Sequence, residues 1–120
     1  VTKLLNKDDI LNAPDLPMEE VEVPQWGGTV LIRGMTGAQR DAFEALMLDD
    51  KADNVQNLRQ NFRARMVSMA IVDAEGNIMF TPEDIDALGN KSAQALDLVF
   101  EKIQKLNAFK KEDVDELVKN

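Results

Sequence analysis

The chain has 120 residues, 44% hydrophobic and 30% charged, with a formal net charge of −8 and neither cysteine, histidine nor tyrosine. Those figures describe a chain able to bury one modest core, and they exclude disulfides, thiolate chemistry, the usual zinc ligand and the histidine of a serine triad. A negative field of that size repels phosphate backbones and anionic lipid, so nucleic acid and membranes are poor partners.

The first seventeen residues carry Leu4, Leu5, Ile10 and Leu11, but Pro14 and Pro17 limit any helix there to a turn or two. Val1 to Ile10 offers neither an apolar signal core nor a small-residue cleavage site, so a cytosolic setting is expected. Val21 and Val23 alternate with Glu20 and Glu22, the period-two pattern of a strand with one wet face. Thr29-Val30-Leu31-Ile32-Arg33 is rich in β-branched residues, and Pro24-Gln25-Trp26-Gly27 between the two runs supplies a turn. A hairpin over 18–34 follows.

Thr36 and Gln39 form the capping box that opens a helix, with Phe43, Leu46 and Met47 as its buried stripe and the polar Asp49–Asn54 run as its stop. Val55, Leu58, Phe62, Met66 and Met69 recur at three- and four-residue steps and predict the strongest helix of the chain. Asp73-Ala74-Glu75-Gly76-Asn77 is a turn, with Ile78-Met79-Phe80 a short extended piece after it. Thr81-Pro82-Glu83-Asp84 caps a further helix that Gly89 ends. From Lys91 to Asn107, Leu96, Val99, Phe100, Ile103 and Leu106 share a face, while Leu98 falls on the polar side. Val114, Leu117 and Val118 give a small apolar edge to a C-terminal helix.

No glycine loop shaped for phosphate and no dinucleotide fingerprint is present, and the chain is not expected to be an enzyme or to hold a cofactor or metal. The Asp73–Asn77 segment resembles a calcium loop only superficially, since its glycine falls at the fourth position where a calcium hand needs it at the sixth. The acidic pairs Asp8-Asp9, Asp49-Asp50 and Glu83-Asp84 sit where carboxylates meet free helix amides or water. Arg59, Arg63 and Arg65 are three of the five arginines on one helix. They either clamp an acidic partner segment or lay their stems along the core edge. Trp26, the single tryptophan, either folds back over the sheet, the preferred reading, or projects as an interface anchor.

Short words along the chain add a resemblance. Thr2-Lys3-Leu4-Leu5, Ile10-Leu11, Val21-Glu22-Val23-Pro24-Gln25-Trp26-Gly27-Gly28, Arg33-Gly34-Met35-Thr36-Gly37 and Arg40-Asp41-Ala42-Phe43-Glu44 resemble tail assembly chaperones of long-tailed bacteriophages and prophages. Ile71-Val72-Asp73, Gly76, Phe80, Glu83-Asp84-Ile85, Leu88-Gly89 and the Ser92 to Leu106 helix are similar to the same family. The resemblance implies a mainly helical protein that acts in the cytoplasm of the infected host. Such a protein keeps the tape measure protein soluble, helps tail tube protein assemble around it, and is absent from the mature virion. Members of such families are often made in short and frameshift-extended forms, of which this chain would be the short one. It supplies no catalytic or metal residues to carry over.

The expectation is therefore a mainly α (α+β) chain forming one domain over 1–120, with the hairpin at 18–34, a helical core at 36–108 and a C-terminal helix at 110–120. Its expected work is binding other polypeptides, with homo-oligomers a further option. Trp26, Arg59, Arg63, Leu98, Val114, Leu117 and Val118 are the candidate contact residues. The rival functions are an acidic DNA mimic or another small protein-binding adaptor or inhibitor, and a carboxylate-based hydrolase.

Overall fold

The computed structural model of the chain describes residues 2–48 and 61–108, with side chains at all of these but 46–48. Helix α1 (Lys7–Leu11) is little more than one turn. Its capping box is complete: Asp9 N donates to Asn6 Oδ1 at 2.9 Å, and Asn6 N donates to Asp9 Oδ2 at 3.1 Å. None of its residues is buried, and Leu4 stands 95% exposed.

The hairpin forms where the alternation placed it. β1 (Met18–Val23) pairs antiparallel with β2 (Gly28–Arg33), in a register running unbroken from Met18 opposite Arg33 to Val23 opposite Gly28. The tip is a 3-10 turn over Pro24–Trp26, closed by the Gly27 N–H donating to Pro24 O at 3.0 Å. Gly27 takes φ 72°, a conformation that costs glycine little and other residues more. Val21, Val23 and Ile32 project into the core from one face of the pair.

Helix α2 (Gly37–Leu48) opens on the expected box, with Thr36 N donating to Gln39 Oε1 at 2.9 Å and Gln39 N to Thr36 Oγ1 at 3.0 Å. Helix α3 (Phe62–Ala70) buries Phe62, Ala64, Met66, Val67 and Ala70. The other part of the helix expected here, with Val55 and Leu58, lies outside the described residues.

The chain then leaves α3 directly into β3 (Ile71–Val72), which lies antiparallel to β2 with Ile71 opposite Ile32 and Val72 opposite Leu31. This third strand was not expected beside the hairpin, and it falls within the stretch read as the helical core over 36–108. Two consecutive β-branched residues satisfy their backbone more fully on a preformed sheet than on a frayed helix end. The sheet order is β1-β2-β3, and with five α-helices among the described residues the fold is mixed α+β.

After β3, Asp73 N donates to Asn77 O at 2.8 Å, and Ile78 bridges back to Val72. A 3-10 turn over Pro82–Asp84 leads into α4 (Ile85–Gly89). Helix α5 (Ala93–Leu106) begins at Ser92, whose Oγ accepts from Ala95 N at 3.3 Å. Its stripe of Leu96, Val99, Phe100 and Ile103 is buried, together with Ala95. The core is filled between α3, α5 and the inner sheet face, with Phe62 stacked edge-on to Phe100 at 5.6 Å and tilted against Phe43 at 5.8 Å between ring centroids.

Candidate functional site

Among the described residues, hollows open beside the core, two of them wide. The larger, of about 590 Å³, lies between the hairpin tip and the 80–91 segment, and is lined by Gln25, Trp26, Phe80, Asp84, Ala87, Leu88 and Lys91. Trp26 is there because Pro24 starts the 3-10 turn and Gly27 reverses the chain immediately afterwards. It is half-buried and packs on the core, so its ring folds back while still walling the groove. Its Nε1 is buried and has no hydrogen-bond partner among the described residues.

The opposite wall is fixed by local chemistry. Asp84 Oδ2 accepts from Thr81 N at 2.9 Å and from Thr81 Oγ1 at 3.2 Å, and Pro82 follows in the first position of the turn. Those contacts set the direction of α4, which presents Ala87 and Leu88 to the groove. Lys91 N then donates to Leu88 O at 3.1 Å, placing its side chain at the same opening. The groove thus offers an apolar floor with one carboxylate and one ammonium, a composition suited to an amphipathic polypeptide.

The second hollow, about 380 Å³, is lined mainly by Phe43, Phe62, Met69, Ile78, Phe80 and Ile85, with Gln39, Arg65, Ser68 and Thr81 among its polar groups. Phe80 lines both hollows.

Of the candidate contact residues that the structure describes, Trp26 alone lines the larger groove. Arg63 projects from α3 to Asp97 of α5, where its Nε meets Oδ1 in a half-exposed ion pair. Such a pair contributes no more than about 1 kcal/mol, and it occupies the arginine within the fold. Leu98 was expected on the polar side of its helix and is instead half-buried against the core cluster. The reason is that α5 packs on both α3 and the sheet, which widens its buried arc. Arg59, Val114, Leu117 and Val118 lie outside the described residues. Sequence reasoning missed Phe80 and Leu88 as groove residues. The signal available was weak: two large apolar residues on either side of a proline-started turn.

The acidic Asp73–Asn77 turn uses its carboxylate internally. Asp73 Oδ1 accepts from Glu75 N at 2.9 Å and from Asn77 N at 3.0 Å, and Gly76 takes φ 87°. The amide of Asn77 above all, against a smaller opposing effect of burial, holds the Asp73 carboxyl below the ordinary aspartate range. Among the described residues no group of three or more carboxylates is placed to hold a metal ion, and no helix is long and apolar enough to cross a membrane.

Taken together, a three-stranded antiparallel sheet with a long helix near the end of the described chain packed on it, and with the helix that enters its third strand packed on that long helix, defines an α+β class of fold. The same fold is seen in the tail assembly chaperone of bacteriophage HK97. The two superpose with a TM-score of 0.59 over 82% of this chain and 94% of that one, at 12% sequence identity. An identity that low shows likeness of fold alone. No protein-family model and no curated protein matches the sequence.

Proposed function

We propose that this chain is a non-enzymatic tail assembly chaperone, which binds the tape measure protein and aids assembly of the tail tube in the host cytoplasm without entering the virion. The observation that carries the reading is the fold shared with the HK97 chaperone over 94% of that protein's length. The short words spread along the sequence support it independently of the coordinates. The Trp26 groove supplies the physical means: an apolar helical segment of the client lays its large side chains against Trp26, Phe80 and Leu88. The net charge of −8 keeps the loaded complex dispersed.

Co-expression with the cognate tape measure protein tests the function. A soluble, co-purifying complex is the expected result. A tape measure protein that stays equally soluble and unbound without this chain would overturn the proposal. Because Trp26 is the single tryptophan, its emission reports groove occupancy directly. Client binding is expected to shift that emission to shorter wavelength, and Trp26→Ala to weaken capture about tenfold or more while the protein still melts cooperatively. Capture at full strength by a folded Trp26→Ala variant would move the client site away from the groove.

A further inference from the structure

The two edges of the sheet are treated differently, and the difference defines a second surface, separate from the Trp26 groove. At the β3 edge the chain closes its own backbone: Met79 N donates to Ile71 O at 3.3 Å, and Asp73 N to Asn77 O at 2.8 Å. At the other edge β1 has β2 on one side and, among the described residues, no further strand on the other.

The direction of its free groups follows from one hydrogen bond. Gly34 N donates to Pro17 O at 2.8 Å, so these opposed residues form a hydrogen-bonded pair of the ladder. Such pairs recur every second residue, which assigns Glu19, Val21 and Val23 to β2. The N–H and C=O groups of Met18, Glu20 and Glu22 therefore point outward, along the open edge. Proteins commonly blunt such an edge with a bulge, an internal proline or charged side chains, lysine above all. This one has an unbroken register, prolines only beyond its ends at Pro17 and Pro24, and glutamates as its charged residues.

Those glutamates select what can pair. Glu20 and Glu22 are exposed and lie on the sheet face opposite Val21 and Val23. A second copy of this chain, paired antiparallel so that all three outward residues engage, sets Glu20 against Glu20. Like charges directly opposed disfavour that pairing. A strand with lysine or arginine at alternate positions instead places a cation opposite each carboxylate, in keeping with the net charge of −8.

We infer that the β1 edge is a docking site for an extended polypeptide segment of a basic partner. The segment adds as a fourth strand on the backbone groups of Met18, Glu20 and Glu22, and is chosen by its alternating cationic side chains. Each carboxylate–cation pair is worth about two- to fivefold in affinity, and binding weakens as salt is raised.

Amide hydrogen exchange on the full chain tests the inference, with a synthetic ten-residue peptide of alternating lysine and valine as the probe. Saturating peptide is expected to slow exchange at Met18, Glu20 and Glu22 at least tenfold. A peptide of alternating glutamate and valine should bind more than tenfold more weakly, and the Glu20→Lys/Glu22→Lys variant should reverse that order. Both substitutions are at exposed positions, and a cooperative melt confirms that the variant folds. Three results would overturn the inference: the three amides already protected in the free chain, the lysine peptide binding without protecting them, or equal affinity for both peptides.

Discussion

Asn107, just past the end of α5, ties the last helical turn to the junction between β2 and α2. Its Oδ1 accepts from Met35 N at 2.8 Å, and its Nδ2 donates to Ile103 O at 2.9 Å. Truncation to alanine removes both bonds, but with unequal consequences. The Ile103 carbonyl keeps a partner, since it also accepts from the Asn107 backbone N–H at 3.0 Å. The Met35 amide has no such substitute, and a part-buried donor left unpaired costs about 1–3 kcal/mol. Asn107→Ala is thus expected to destabilise the fold by about 2 kcal/mol. For a chain of this length that lowers Tm by about 8 °C, because unfolding entropy scales at about 2 cal/mol/K per residue. Asn107→Asp preserves the acceptor for Met35 and places a negative charge at the negative end of the α5 dipole, so its loss should be smaller, about 1 kcal/mol. Urea and thermal denaturation of the three proteins measure this order. An alanine variant as stable as the parent, or an aspartate variant less stable than alanine, would refute the claim that the Met35 amide is the group that matters.

Two further outcomes follow from the capping box of α2 and from the acidic turn. Thr36→Ala deletes the oxygen that accepts from Gln39 N, and should cost about 1 kcal/mol by urea denaturation, with Thr36→Ser largely restoring it. Asp73 has a depressed pKa in the folded state, so its contribution is present above the unfolded value and is lost as pH falls through the folded one. Urea denaturation at pH 7 and at successive steps below pH 4 should therefore show a stability advantage over Asp73→Asn that shrinks with acidification. Parallel pH profiles for the two proteins would contradict it.

What the sequence made legible was what local chemistry decides. The Thr36–Gln39 box, the Pro24–Gly27 turn and the stripe from Leu96 to Ile103 are each complete within a few residues, and the structure shows all three where expected. β3 was missed because Ile71 and Val72 are too few to show a period, and their partners Leu31 and Ile32 lie about forty residues earlier. Leu98 was misplaced because a helical wheel assumes one buried side, whereas α5 is packed on two. The groove was half visible. Trp26 stood out as the single tryptophan, but Phe80, Leu88 and Lys91 reach it only through the folding of a separate stretch of chain. Leu4, Leu5, Ile10 and Leu11 show the converse limit: an apolar pattern is no guarantee of burial, and all four are exposed.

Phe80 is a party wall: one ring bounds the groove beneath Trp26 and the hollow against Phe43 and Phe62. A guest that pushes this ring aside on one side takes room from, or gives room to, the chamber on the other. Thermodynamic linkage makes such an influence mutual, so two guests touching the same ring help or hinder each other by equal free energies in both directions.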